Sequence, residues 1–184
     1  MKPTKSTPAA TKNTQDAISM LTEDHKKVRK LFKEFEKLKE NSDSSNKKSD
    51  LVKQICDELT IHAQVEEEIF YPAVRDAIDE DDLMDEAEEE HLSAKDLIAQ
   101  LENMQPGDDH YDAKVTVLGE YVDHHIDEEQ EQMFPKVKRA KIDTATLGAQ
   151  MLQLKNELEI DMGIEDSEMR SKSPRSERAK SVHR

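Results

Sequence analysis

The chain has 184 residues, which is enough for one domain with a hydrophobic core and too few to suggest two. Charged residues make up 38% of it and aromatic residues only 4%, with four glycines and no tryptophan, so amphipathic helices are favoured over strands. A single cysteine, Cys56, excludes a disulfide framework and a cysteine-based zinc site.

Charge and hydropathy predict the localisation of the protein and the classes of partner that it can bind. The first 14 residues lack the apolar stretch of a secretory signal, and no run approaches the roughly 18 apolar residues of a membrane span, so we expect a soluble, cytoplasmic protein with no membrane partner. The net charge is −15, although residues 1–14 carry three lysines and residues 170–184 carry six basic side chains and one acidic. The acidic body therefore excludes nucleic acid as its partner.

The ends of the chain differ from its centre in composition. Residues 1–14 and the basic tail over 165–184 have few apolar residues, so we expect both to be disordered around one domain over residues 15–164. The basic tail could also touch an anionic partner.

Apolar spacing and punctuation predict five helices. Their approximate spans in chain order are residues 17–39, with Asp16 as the N-cap, then 50–72, 82–103, 108–139 and 144–160. Pro72 and Pro135 lie near the ends of the second and fourth helices, where each should bend or stop its helix. The pattern predicts an all-α protein, an antiparallel up-down four-helix bundle with a short additional C-terminal helix.

The two halves of the predicted bundle repeat each other. The segments IHAQVEEEIFYPAV and HHIDEEQEQMFPKV align at an offset of 63, which brings His62 onto His125 and Glu66 onto Glu129. The segments around His25 and His91 match more loosely, at an offset of 66. One helical hairpin has therefore been used twice.

Each bundle helix places a histidine on its apolar face, and two helices add a glutamate one turn later. These six candidate metal ligands are His25, His62, Glu66, His91, His125 and Glu129. A buried carboxylate without a partner is costly, and these faces offer no lysine or arginine, so a cation must compensate the charge. The ligand types suit iron and leave zinc and manganese open.

Two residues near the candidate ligands, His124 and Tyr121, also need a structural assignment. His124 could compete with His125, because it forms its own His-x-x-x-Glu pair with Glu128. The repeat selects His125, which lies ten residues before Pro135 as His62 lies ten before Pro72. Tyr121, one turn before His125, is expected to pack in the core or to donate a hydrogen bond near the site.

The paired motifs, His25 with His62-x-x-x-Glu66 and His91 with His125-x-x-x-Glu129, resemble the hemerythrin-like (HHE cation-binding) domain family over residues 17–139. The resemblance implies that the four histidines are terminal ligands, two per metal, while the two glutamates bridge two iron ions. An oxo or hydroxo bridge, and an open position for O2, NO or peroxide, would complete such a site.

The sequence of the third helix distinguishes this chain from the oxygen-carrying members of the family. Oxygen-carrying hemerythrins have a His-x-x-x-His pair there, whereas Ala87 and Lys95 stand one turn before and after His91. The chain is therefore more similar to bacterial members with four histidines and two glutamates. A ferritin-like di-iron site needs two Glu-x-x-His motifs, and the chain has one, at Glu88 and His91.

The resemblance implies a di-iron protein that binds or senses O2, NO or peroxide. Two alternatives use the same site, namely a redox enzyme that removes NO or peroxide and an iron donor in iron–sulfur cluster repair. A further alternative is a metal-free helical interaction module. The pattern does not specify a protein redox partner.

Overall fold

The computed structural model describes residues 15–39 and 45–164 of the chain. These residues form helices and connecting turns without a strand, as predicted. In chain order the elements are α1 (Ala17–Lys39), α2 (Ser45–Val65), a first π-helical turn (Glu66–Phe70), α3 (Tyr71–Ile78), α4 (Asp81–Glu102), α5 (Tyr111–Glu128), a second π-helical turn (Glu129–Met133), α6 (Phe134–Ala140) and α7 (Thr144–Asp161). The predicted disordered ends, 1–14 and 165–184, lie outside the described residues.

Four long helices form the predicted bundle. Helix α1 packs along α2 and α4 packs along α5, while α1 also contacts α5 and α2 contacts α4, which closes the ring. Helices α3 and α6 continue α2 and α5 beyond the π turns and pack against each other. The additional helix α7 lies against α1 and α2. None of the helices in the described ranges is long and apolar enough to cross a membrane.

Most helix boundaries agree with the prediction, and two do not. Helix α1 begins after Asp16, whose carboxylate accepts a hydrogen bond from the amide of Ser19 at 3.2 Å. The second helix starts at Ser45 and not after residue 49. The fourth starts at Tyr111 and not at Asp108, because His110 takes a left-handed conformation (φ 69°) that a helix cannot contain.

The two prolines do not stop their helices. A proline ring collides with the carbonyl four residues before it in a regular helix and donates no hydrogen bond. Here a π turn precedes each one, with the amide of Tyr71 donating to the carbonyl of Glu66 and that of Phe134 to Glu129. The wider turn accommodates Pro72, so the chain stays helical beyond it.

The core consists of two apolar clusters separated along the bundle axis. The first lies at the α3, α6 and α7 end and includes Leu21, Phe70, Met84, Met133 and Met151. The second lies at the opposite end and includes Val28, Phe35, Ile55, Ile98 and Leu118. On α1, α2 and α4 the candidate histidine falls between members of the two clusters. On α5, His125 lies near the end of the run of second-cluster residues, and Met133 of the first cluster follows in the π turn. The site therefore occupies the layer between the clusters.

Helix α7 is held against the start of α1 by a close backbone approach at Gly148. A Cβ atom at this position would lie 2.5 Å from the carbonyl oxygen of Gln15 and 2.7 Å from the amide nitrogen of Ala17. Backbone atoms cannot rotate away, so any side chain here must displace the helix.

Replacing Gly148 with alanine should therefore lower the free energy of unfolding by about 1–3 kcal/mol, measured by urea titration of the metal-free protein. Gly119→Ala is the matched control, since the atoms nearest to its Cβ would belong to the side-chain ring of Phe32, the first at 3.0 Å. That ring can shift, and alanine favours a helix by roughly 1 kcal/mol over glycine. An equal loss of stability in both variants would contradict the backbone explanation.

Candidate metal centre

The structure brings all six predicted ligands together in the interior. Each of α1, α2, α4 and α5 supplies one histidine, and each π turn begins with one glutamate. None of the six is more than 8% exposed: His25, His62, Glu66, His91, His125 and Glu129. In contrast, the side chain of His124 is 66% exposed. The repeat therefore selected the histidine that faces the core.

The four imidazoles form two pairs. The Nε2 atoms of His25 and His62 lie 3.2 Å apart, and those of His91 and His125 also lie 3.2 Å apart. With metal–nitrogen distances of about 2.1 Å, two ligand nitrogens of one ion are separated by roughly 3 Å. Each pair therefore has the spacing of two ligands on a common ion.

The two glutamates each face both pairs. Oε2 of Glu66 lies 3.2 Å from His62 Nε2 and 3.3 Å from His91 Nε2. Oε2 of Glu129 lies 3.1 Å from His25 Nε2 and 3.8 Å from His125 Nε2. A carboxylate that reaches both pairs is placed as a bridging ligand must be.

Three oxygen atoms of Glu66 and Glu129 support the presence of a cation. Among the described residues, neither oxygen of Glu66 nor Oε2 of Glu129 has a hydrogen-bond partner, and all three atoms are buried. Unpaired buried acceptors of this kind are costly. Metal ions bound between the carboxylates and the imidazoles would satisfy them, and this donor set fits iron, zinc or manganese.

The electrostatics of the metal-free site agree with this conclusion. Burial and the charge of Glu129 raise the pKa of Glu66 well above its usual range. Burial opposes ionisation of Glu129 too, but His125 and His25 outweigh it and lower its pKa. Burial lowers the pKa of His62 to about 4, which keeps the ring neutral and able to ligate at pH 7.

Tyr71 belongs to the site, although the sequence pattern did not predict it. Its hydroxyl donates to Glu129 Oε1 at 3.1 Å and lies 3.3 Å from the Nε2 atoms of both His91 and His125. Tyr121 does not pack in the core as predicted, because it is 49% exposed, although it lines the cavity beside the histidines. The π turn explains the omission, since it returns the fifth residue after Glu66 to the inner face.

The alignment of the two halves could have indicated that Tyr71 lies at the site. At the offset of 63 it aligns with Phe134, whose ring stacks on His25 with centroids 5.9 Å apart. Both halves therefore place an aromatic ring immediately before the proline and against the histidines. Only one of these rings carries a hydroxyl.

The second nitrogen of each imidazole, Nδ1, also has a polar neighbour. These contacts are Glu90 Oε2 to His125 at 2.7 Å, Glu67 Oε1 to His91 at 3.0 Å, Gln130 Nε2 to His25 at 3.0 Å and Asp24 Oδ2 to His62 at 3.7 Å. Such groups fix the orientation of ligating rings. The sequence analysis did not identify them, although they occupy repeated positions, before the first histidine and after the glutamate of each half.

A small cavity of about 30 Å³ adjoins the histidines. Apart from the site residues, most of its lining is apolar: Val28, Leu59, Ala63, Ala94, Ile98, Val122 and Ile126. A cavity needs about 10–15 Å³ to hold one water molecule, so this one can hold a water or a similarly small ligand. Ligand pockets for organic molecules are about ten times larger.

Replacing Glu66 with glutamine should change stability in opposite directions with and without metal. The folded-state pKa of Glu66 is raised, so its contribution is fully present below about pH 4.5 and is lost as the pH rises. Metal-free Glu66→Gln should therefore be more stable than the wild type at pH 8, with the difference shrinking towards pH 4.5. With metal bound, the wild type should be the more stable protein.

Urea unfolding at pH 5 and pH 8, with chelator or with Fe²⁺ under nitrogen, measures both differences. The opposite pH trend of His62 is present in both proteins and cancels in the comparison. A variant that is less stable than the wild type under all four conditions would show that Glu66 serves the fold without a cation.

Comparison with known proteins gives the family. The hemerythrin HHE cation-binding domain matches residues 16–137, well over half of the chain. A DNA nickase of Nostoc sp. (strain PCC 7120 / SAG 25.82 / UTEX 2576) is 32% identical over 126 residues, which are 68% of this chain and 34% of the relative. The chain thus spans about a third of that protein's length.

A solved structure shows the same fold. It is the crystal structure of a hemerythrin HHE cation-binding domain-containing protein from Mycobacterium kansasii, with a TM-score of 0.68 and 23% sequence identity. The superposition covers 86% of this chain and 94% of that one. The resemblance predicted from the paired motifs is therefore confirmed, and the chain belongs to the hemerythrin HHE cation-binding domain family.

Proposed function

We propose that this chain is a non-haem di-iron protein that captures O2, NO or peroxide at its buried centre. The observation that carries the proposal is the pair of buried carboxylates, Glu66 and Glu129, each facing two histidine pairs and with three oxygens lacking a hydrogen bond among the described residues. Membership of a cation-binding family supports the same reading.

The residues would divide between the two ions in a simple way. His25 and His62 would hold one ion, His91 and His125 the other, and both glutamates would be shared. Bound iron would supply the redox chemistry and a coordination position open to a small ligand. The protein orients the rings through the polar groups at Nδ1, and Tyr71 holds Glu129 by a hydrogen bond.

The cavity beside the histidines supports a small ligand. At about 30 Å³, it has room for a diatomic molecule or peroxide and none for a larger organic substrate. Its apolar lining also keeps bulk water from competing for the ions.

Removal of NO or peroxide is a second candidate, which Tyr71 favours. Burial raises the pKa of this phenol well above its usual range, so it keeps its proton and places a neutral hydroxyl beside His91 and His125. The alternative of a metal-free interaction module would leave the buried glutamates without a compensating charge. The DNA nicking of the Nostoc relative is not expected of this chain, because its acidic body repels the phosphates of DNA.

The first test of the proposal is metal content. Protein produced with adequate iron should contain about two ions per chain by elemental analysis. His125→Ala should lose metal, because it removes a buried ligand position, whereas His124→Ala should keep it, since that side chain is exposed. A well-folded wild-type protein that refuses iron would contradict the di-iron assignment.

The second test is ligand capture. Adding NO or peroxide to the anaerobic, reduced protein should change its iron absorption bands, because the cavity leads to the histidine pairs. His124→Ala should respond like the wild type and serves as the control. An unchanged spectrum with both reagents, together with turnover of a bulky organic compound, would contradict the proposal.

A further inference from the structure

The groups that contact Nδ1 of the four histidines divide the centre into unlike halves. At the His91 and His125 pair, both rings face a carboxylate at hydrogen-bond distance, Glu67 at 3.0 Å and Glu90 at 2.7 Å. A ring that ligates a metal through Nε2 carries its proton on Nδ1, and it donates that proton to the carboxylate. This bond increases the basicity of the ligating nitrogen.

The His25 and His62 pair lacks this support. His25 Nδ1 faces the neutral amide of Gln130 at 3.0 Å. His62 Nδ1 lies 3.7 Å from Asp24, which is beyond hydrogen-bond distance. Asp24 is in addition paired with Lys155 at 2.5 Å, so its charge is largely neutralised.

The two histidine pairs differ in their Nδ1 partners because the two halves of the repeat carry different residues at equivalent positions. Gln130 aligns with Glu67 at the offset of 63. Both positions reach Nδ1 of a histidine in the opposite hairpin, Glu67 with a carboxylate oxygen that accepts a hydrogen bond and Gln130 with an amide nitrogen that donates one. Lys95 pairs with Glu67 at 2.6 Å, but its side chain is 43% exposed, so solvent screens its effect on the carboxylate.

The aromatic residues next to the two histidine pairs also differ in polarity. Tyr71 places its hydroxyl 3.3 Å from both His91 and His125, whereas the equivalent Phe134 stacks an apolar ring on His25. Three repeated positions therefore give the His91 and His125 pair the more polar, more anionic surroundings.

We infer that the two metal positions are inequivalent, with the His91 and His125 position binding its ion more tightly, and that Glu67 and Gln130 are positioning residues that set this order. The inference rests on the proposed two-metal function. Losing a carboxylate behind a ligating histidine typically weakens metal affinity by about 10- to 100-fold, which is enough to separate two binding steps.

The test is an anaerobic titration of the metal-free 184-residue chain with Co²⁺. Binding is followed by the visible absorption bands of the bound ion and by competition with a chelator. The wild type should bind two ions in two steps. Glu67→Gln should weaken the tighter step by about 10- to 100-fold and change the weaker one little. Gln130→Glu should strengthen the weaker step by a similar factor.

Two further variants control for charge. Glu68→Gln removes the same charge from an exposed neighbour and should leave both steps unchanged. The double variant Glu67→Gln with Gln130→Glu keeps the wild-type net charge and exchanges the two partners, so it should bring the steps together or reverse their order. Circular dichroism of the metal-free variants checks folding, and Gln130→Glu decides the question if Glu67→Gln fails to fold.

The outcomes separate the inference from the function on which it rests. Fewer than two ions per wild-type chain would overturn both. Two ions bound without distinguishable steps, or equal effects of Glu67→Gln on both steps, would overturn the inference and leave the two-metal function standing.

Discussion

Two carboxylates at the centre of an apolar bundle are the constraint on which the rest of the structure depends. Glu66 and Glu129 are almost fully buried, and in the described part of the chain no lysine or arginine contacts either of them. The four surrounding imidazoles can balance this charge by protonation or by holding cations. Burial lowers the pKa of His62, which disfavours protonation of that ring. Burial opposes protonation of His125 too, but Glu129 and Glu90 outweigh it and raise its pKa. Cations held by the imidazoles would balance the two carboxylates, so we expect the stability of the fold to depend on metal availability.

The same constraint explains the shape of the core. Apolar side chains cannot fill the layer occupied by six ligands, so the core divides into two clusters on either side of it. The α3, α6 and α7 segments cover one of these clusters. The other is enclosed by the remaining length of the four long helices, and within residues 15–39 and 45–164 no additional helix covers that end.

The spacing of apolar residues was sufficient to predict the helices and to assign the six candidate ligands to their inner faces. It failed at Tyr71, because the prediction assumed the regular turn of an α-helix and the chain widens to a π turn after Glu66. It also failed to identify Glu67 and Glu90. The chain has 42 acidic residues, and a half-buried carboxylate cannot be told from a solvated one by its spacing alone. The left-handed His110 shortened the fourth helix for a similarly local reason.

The paired π turns bear on the history of the chain. A π turn amounts to one residue added to an α-helix, and both turns begin at the equivalent glutamates of the two halves, Glu66 and Glu129. Two independent additions at the same place are less economical than one addition followed by duplication. The ancestral hairpin then already carried the widened turn, and two copies of it could pair to enclose a symmetric centre. Exchanges such as Glu67 for Gln130 and Tyr71 for Phe134 date from after that event, when the two copies were free to diverge.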